Sequence, residues 1–162
     1  MGSCGRKGKI MFRGISAISL DAKGRMAIPT QHRDMIVEES DGAMVVTIDT
    51  EDRCLLLYTR PQWQDIEDQL SALPTFNPVT RRIQRLLIGH ANDLSLDKSG
   101  RVLIPSILRD YAGLDKNIIL VGQGKRFEIW GESQWELGRD SWLAEDFSEE
   151  GGVPPELLNL SL

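Results

Sequence analysis

Apolar and polar positions alternate through residues 15–20, with Ile18 and Leu20 in phase, and that two-residue period predicts a strand. Asp21-Ala-Lys-Gly24 interrupts it as a turn, and residues 25–29 resume it with Met26 and Ile28 on one face. Pro29-Thr30 then opens a short helix to about residue 38, with Thr30 as the expected N-cap. Two β-rich segments, residues 43–49 and 53–59, flank a polar turn at 49–52. From residue 61 to 73 the period changes. Trp63, Ile66, Leu70 and Leu73 recur at spacings of three and four, one stripe of a helix.

The second half follows the same order. A strand is expected at 93–96, a turn at 97–100, a strand at 101–105, and a short helix capped by Ser106 and running to Tyr111. A strand pair follows at 117–121 and 126–130, with Gly122-Gln-Gly124 between them, then a helix from 133 to about 147 carrying Trp135, Leu137, Trp142 and Leu143. The repeat is literal at one point. LDAKGRMAIP at 20–29 and LDKSGRVLIP at 96–105 share Leu, Asp, Gly, Arg, Ile and Pro in register, 76 residues apart. Arg33-Asp34 matches Arg109-Asp110 at the same offset, and Gln62-Trp63 matches Gln134-Trp135 at 72, as a shorter hairpin loop in the second half requires.

These observations divide the chain into a leader at 1–10, a first unit at 11–75, a basic linking helix at 76–91, a second unit at 92–147 and a tail at 148–162. The leader is read as a translated leader or a cloning remnant ahead of a natural start at Met11. Two short hairpins have little core of their own. Two units in one chain can intertwine and bury a shared barrel, so the expected fold is mainly β with flanking helices (α+β) and a pseudo-two-fold axis.

Charge changes this picture more than composition does. The 162 residues carry a net −5, which by itself argues against a polyanion partner. The charge is segregated: residues 1–35 net +5, 36–75 net −7, 76–126 net +5 and 127–162 net −8. Both positive blocks contain a copy of the repeated turn, and local potential rather than the total guides a polyanion. The longest apolar runs are far too short to span a bilayer, and no secretory signal opens the chain, so a cytoplasmic protein is expected. Cys4 and Cys54 fit neither a disulfide framework nor a zinc spacing, and no metal or cofactor is expected.

The turn residues admit two readings. Asp21 and Asp97 can accept backbone N–H groups and organise the turns, and Gly24 and Gly100 tolerate positive φ. Arg25 and Arg101 can pair with those aspartates and pin the turn, or reach outward to phosphate or guanine, with Lys23, Lys98 and Arg13 adding positive charge nearby. Arg81, Arg82 and Arg85 form a second basic patch or pair with a neighbour's acidic segments. Trp63, Trp135 and Trp142 are expected under the barrel. His32 and His90 sit in no nucleophile or metal pattern; His32 is read as a helix-surface residue and His90 as a helix-end residue, so an enzyme is not expected.

The Asp-x-x-Gly-Arg turns, the tandem units and the segment Arg81-Arg82-Ile-Gln-Arg-Leu-Leu-Ile-Gly-His-Ala91 resemble the MraZ family of bacterial regulators, built from two SpoVT-AbrB-like units. The likeness runs from Met11 to Leu162 and includes the opening Met-Phe-Arg-Gly and the closing Leu-Ser-Leu. It implies a swapped-hairpin (AbrB-like) β-barrel, a ring-shaped homo-oligomer, and sequence-specific binding of double-stranded DNA at repeated promoter boxes. It further implies a nucleoid-associated repressor of the division and cell-wall gene cluster. The family's Asp-x-x-x-Arg signature, tied to DNA contact, falls on Asp21 with Arg25 and on Asp97 with Arg101. Two rival classes accompany this one: an AbrB-like antitoxin that pairs with a toxin, and a ring scaffold without DNA affinity.

Overall fold

Each strand of the first repeat finds a neighbour in the second. In the computed structural model, which describes residues 11–145 and 153–161, the strands are β1 (Phe12–Ser19), β2 (Arg25–Ala27), β3 (Ala43–Ile48), β4 (Leu55–Thr59), β5 (Asn92–Ser95), β6 (Arg101–Leu103), β7 (Asn117–Gly124) and β8 (Phe127–Gly131). The pairs β1–β7, β3–β5, β4–β8 and β2–β6 all cross between repeats, and all are antiparallel. Six strands form one sheet in the order β1-β7-β8-β4-β3-β5, while β2 and β6 form a separate ribbon. Exchanging the repeats (β1 for β5, β3 for β7, β4 for β8) reverses this order onto itself, so the sheet has pseudo-two-fold symmetry about the central β4–β8 pair.

The helices are α1 (Thr30–Ser40), α2 (Arg60–Ser71), α3 (Pro78–Leu87), α4 (Ser106–Ala112), α5 (Glu132–Ala144) and α6 (Pro155–Leu158). The mainly-strand, α+β class matches expectation. The closed barrel does not appear: among the described residues β1 and β5 are the edges of an open sheet, and the three-residue ribbon strands pair with each other instead. Thr30 and Ser106 are first helical residues rather than caps. Pro29 (ψ 141°) and Pro105 (ψ 144°) hold the extended N-cap positions, with no side-chain cap bond. Gly122-Gln-Gly124 is strand rather than loop, because β1 pairs with it from Phe12 to Gly14.

The core lies on one face of the sheet. Met44, Val46 and Ile48 alternate into it from β3, and Leu55 and Leu57 from β4. Phe12, Ile118, Leu120, Phe127 and Ile129 join them, with Met26 and Val102 from the ribbon. Fully burying such a side chain contributes about 1.5–3 kcal/mol. That explains α4: seven residues are too few to hold a helix alone, and buried Leu108 and Ala112 anchor it. The opposite face of β3 and β4 is also covered, by a second cluster of Val45, Leu56, Tyr58 and Trp63 against Ile66, Leu87 and Ile88. Burial on both faces is why Cys54 to Tyr58 reads as an unbroken apolar run.

His32 corrects the sequence reading. It is 6% exposed, with Phe12 at 5.7 Å and Phe127 at 4.9 Å between ring centroids. One helical turn before Ile36, it faces inward with that residue, and polarity misjudged the face. His90 follows the end of α3, its Nδ1 2.7 Å from the Leu86 carbonyl. Trp63 is buried as expected. The described residues fall into two compact units that divide between Glu132 and Ser133. In the second, Trp135 and Trp142 are half-buried, with ring centroids 5.8 Å apart. Cys4, the leader and residues 146–152 lie outside the described residues.

Candidate nucleic-acid interface

The two repeated turns share one construction. Asp21 Oδ1 accepts the backbone N–H groups of Lys23 (2.9 Å) and Arg25 (2.8 Å), and Asp97 Oδ1 accepts those of Ser99 (2.8 Å) and Arg101 (2.9 Å). Each aspartate's second oxygen accepts the Nε of its own arginine, at 2.8 Å for Arg25 and 3.1 Å for Arg101. The peptides close the loops: Gly24 N–H donates to the Asp21 carbonyl and Gly100 N–H to that of Asp97, both at 3.0 Å. Gly24 (φ +90°) and Gly100 (φ +73°) occupy left-handed backbone that a Cβ would strain.

These bonds favour the ionised carboxylate. The Arg25 backbone N–H does most to lower the pKa of Asp21 to about 2; desolvation opposes it, and the Arg25 guanidinium and Lys23 N–H assist. Asp97 is lowered as well, first by the Arg101 backbone N–H.

Ribbon register brings the arginines together. Arg25 pairs with Leu103, Met26 with Val102 and Ala27 with Arg101. Met26 and Val102 are buried, so alternation sends Arg25, Ala27, Arg101 and Leu103 to the outer face. Arg25 and Arg101 are diagonal neighbours there, with backbones about 7–8 Å apart by sheet geometry. Their side chains are 31% and 35% exposed, and Arg101 Nη1 also lies 3.9 Å from Asp21 Oδ2. Both alternatives therefore coexist geometrically: each Nε pins its turn, while the guanidinium remains partly open to solvent.

Lys23 and Lys98 are exposed and make no ion pair among the described residues. Arg13 stands on edge strand β1 opposite Gln123, with no hydrogen bond or ion pair to the ribbon among the described residues. Arg81, Arg82 and Arg85 are exposed on α3, again without an acidic partner among them.

Arg33 and Arg109 were missed as part of this arrangement, although their 76-residue spacing was visible. Arg33 Nε donates to the Ile28 carbonyl (2.6 Å), and Arg109 Nε to that of Ile104 (3.0 Å). Each guanidinium packs against the glycine of the other repeat's turn, Arg109 beside Gly24 and Arg33 beside Gly100. Ile28 N–H donates to Gly100 and Ile104 N–H to Gly24, both at 2.9 Å, so each clasp ties one repeat's helix to the other's turn. Metal-ligating side chains gather elsewhere, at Asp49, Cys54 and Glu128.

The family model described as "MraZ protein, putative antitoxin-like" matches this chain twice, over residues 11–86 and 87–150. The chain is 60% identical over 152 residues to a transcriptional regulator MraZ of Coxiella burnetii, covering 94% of this chain and all of that protein. It is 55% identical, with the same coverage, to proteins of that name from Legionella pneumophila and Alkalilimnicola ehrlichii.

Proposed function

The chain belongs to the MraZ family, and from that premise we propose that it is a transcriptional regulator that binds double-stranded promoter DNA through the β2–β6 ribbon. Arg25 and Arg101 meet the duplex, Lys23 and Lys98 neutralise phosphates, and Arg13 adds charge from β1. Asp21, Gly24, Asp97 and Gly100 hold the turns in shape. The observation that carries this reading is the diagonal placement of two partly exposed arginine side chains on one outward ribbon face. A planar guanidinium suits both phosphate and the O6/N7 edge of guanine.

One protomer offers few such charges. Affinity then comes from several protomers engaging successive promoter boxes, where linkage raises effective concentration. A ring-shaped homo-oligomer supplies that multivalency, and occupancy represses the division and cell-wall gene cluster, including the protein's own gene. Such a regulator works in the cytoplasm on the nucleoid and needs no catalytic step; among the described residues no helix is long and apolar enough to cross a membrane.

A mobility-shift assay with the DNA upstream of the protein's own gene tests this. Arg25→Ala and Arg101→Ala should each weaken the shift while leaving oligomer size unchanged, and wild-type binding by both would refute it. The words "antitoxin-like" in the family description support a second reading, in which the ribbon also binds DNA but the chain neutralises a toxin. Co-purification of a toxic partner with DNA-competent protein would favour that reading.

A further inference from the structure

We propose that Asp49, Cys54 and Glu128 form a binding site for a borderline divalent cation of the zinc type, on the sheet face opposite the main core. The three side chains come from the end of β3, the turn into β4, and β8, and their ligand atoms all lie within 4.8 Å of one another. A thiolate with two carboxylates is a mixed S/O donor set suited to zinc, with a fourth position left for water. Tetrahedral zinc would draw these atoms in by about 1 Å, given Zn–S near 2.3 Å and Zn–O near 2.1 Å.

The thiol and one of the carboxylates are largely withdrawn from solvent. Cys54 is fully buried, and its thiol is directed into the cluster, 3.6 Å from Asp49 Oδ2. The Glu128 side chain is only 13% exposed. Outer contacts orient both carboxylate-bearing segments, because Trp130 Nε1 donates to Glu128 Oε1 (3.0 Å) and Tyr111 Oη donates to the Asp49 carbonyl (2.6 Å).

The pseudo-symmetric position supplies the independent argument. The first hairpin closes with Asp49 N–H on the Cys54 carbonyl, and the second with Gln123 N–H on that of Arg126. Arg126 thus stands where Cys54 stands in the other repeat. There a guanidinium does the clasping: Arg126 Nε reaches Gln123 Oε1 and Nη1 reaches Tyr58 Oη, both at 3.1 Å. At the same two points the first repeat has an acid and a thiol, with the Cys54 thiol donating to Asp49 Oδ2. Arg126 Nη2 lies 3.9 Å from Glu128 Oε2, and the same guanidinium is shared with Gln123 and Tyr58. Arg53 lies over the Tyr111 ring instead.

Burial pushes the Cys54 thiol above its usual pKa, and Glu128 and Asp49 add to the effect. The same negative potential attracts a divalent cation. On binding, the sulfur–hydrogen bond breaks, the sulfur keeps the electron pair as a metal–thiolate bond, and the proton passes to solvent.

Metal-stripped full-length protein dialysed against zinc should retain roughly one equivalent, as a thiolate site of this kind does near neutral pH. Cys54→Ser and Asp49→Asn should lose it. Cobalt added to the stripped wild type and to Cys4→Ser should give a sulfur-to-cobalt charge-transfer band, absent in Cys54→Ser. The cobalt spectra of wild type and Cys4→Ser decide the matter even if the cluster variants fail to fold. No zinc retention, a band that vanishes in Cys4→Ser, or undiminished zinc in folded Cys54→Ser would each overturn the proposal.

Discussion

Gly24 lies against the guanidinium of Arg109, a residue 85 positions away in the other repeat. A Cβ at Gly24 would come within 2.7 Å of Arg109 Nε and Cζ, and it would have to adopt φ +90°. Left-handed backbone in a non-glycine residue costs about 1–3 kcal/mol. Gly24→Ala should therefore lower unfolding free energy by about that amount, read as a lower urea midpoint at unchanged slope. An unchanged midpoint would mean that the turn relaxes freely.

Asp21 and Asp97 should shape acid stability. Both carboxyls have folded pKa values below 3.8, that of Asp21 about 2. The folded state therefore binds fewer protons between those values. Their stabilisation is complete above about pH 4 and is lost as pH falls through the folded values. An Asp21→Asn/Asp97→Asn double variant should be less stable than wild type near neutrality and show a flatter loss between pH 4 and pH 2. Urea midpoints across that range measure it.

His32 should act in a different window. Desolvation lowers its pKa from the ordinary 6.5, so the unfolded chain binds the proton more readily. Stability that is present above about 6.5 should fall as pH drops below it. His32→Phe, which keeps an aromatic ring against Phe12 and Phe127, should flatten the pH 7 to 5 portion of the curve. An identical slope in both proteins would locate the titration elsewhere.

The arginines and lysines should separate by salt dependence. Each lost phosphate contact lowers the slope of log K against log salt by about 0.9, whereas a lost bidentate base contact costs about 1–3 kcal/mol of discrimination. Lys23→Ala and Lys98→Ala should weaken all sequences equally and flatten the slope. If Arg25→Ala and Arg101→Ala instead narrow the gap between promoter and random DNA, they read bases. Binding isotherms at several salt concentrations on both DNAs distinguish the two roles.

Short-range chemistry was legible and long-range pairing was not. Asp21, Gly24 and Arg25 interact within four residues, so their turn could be inferred from residue types alone. A strand was expected at 15–20 and runs from 12 to 19, while its partner, 117–124, is set by tertiary packing. Arg33 and Arg109 carried a visible repeat spacing without a visible partner, since each clasps a turn of the opposite repeat. His32 failed because helix α1 is weakly amphipathic, and its polarity outweighed its phase. The Asp49–Cys54–Glu128 cluster brings together segments more than seventy residues apart, beyond any spacing rule.

The reversed strand order has a consequence for synthesis. Phe12 is paired with Gly124, so β1 cannot be hydrogen-bonded natively until most of the chain has left the ribosome. The emerging amino-terminal half waits with its ladder groups unmatched, a slow and sticky condition that lengthens as contact order rises. Cutting the gene between the halves should yield two fragments that are each insoluble alone and recover a native spectrum only when co-expressed.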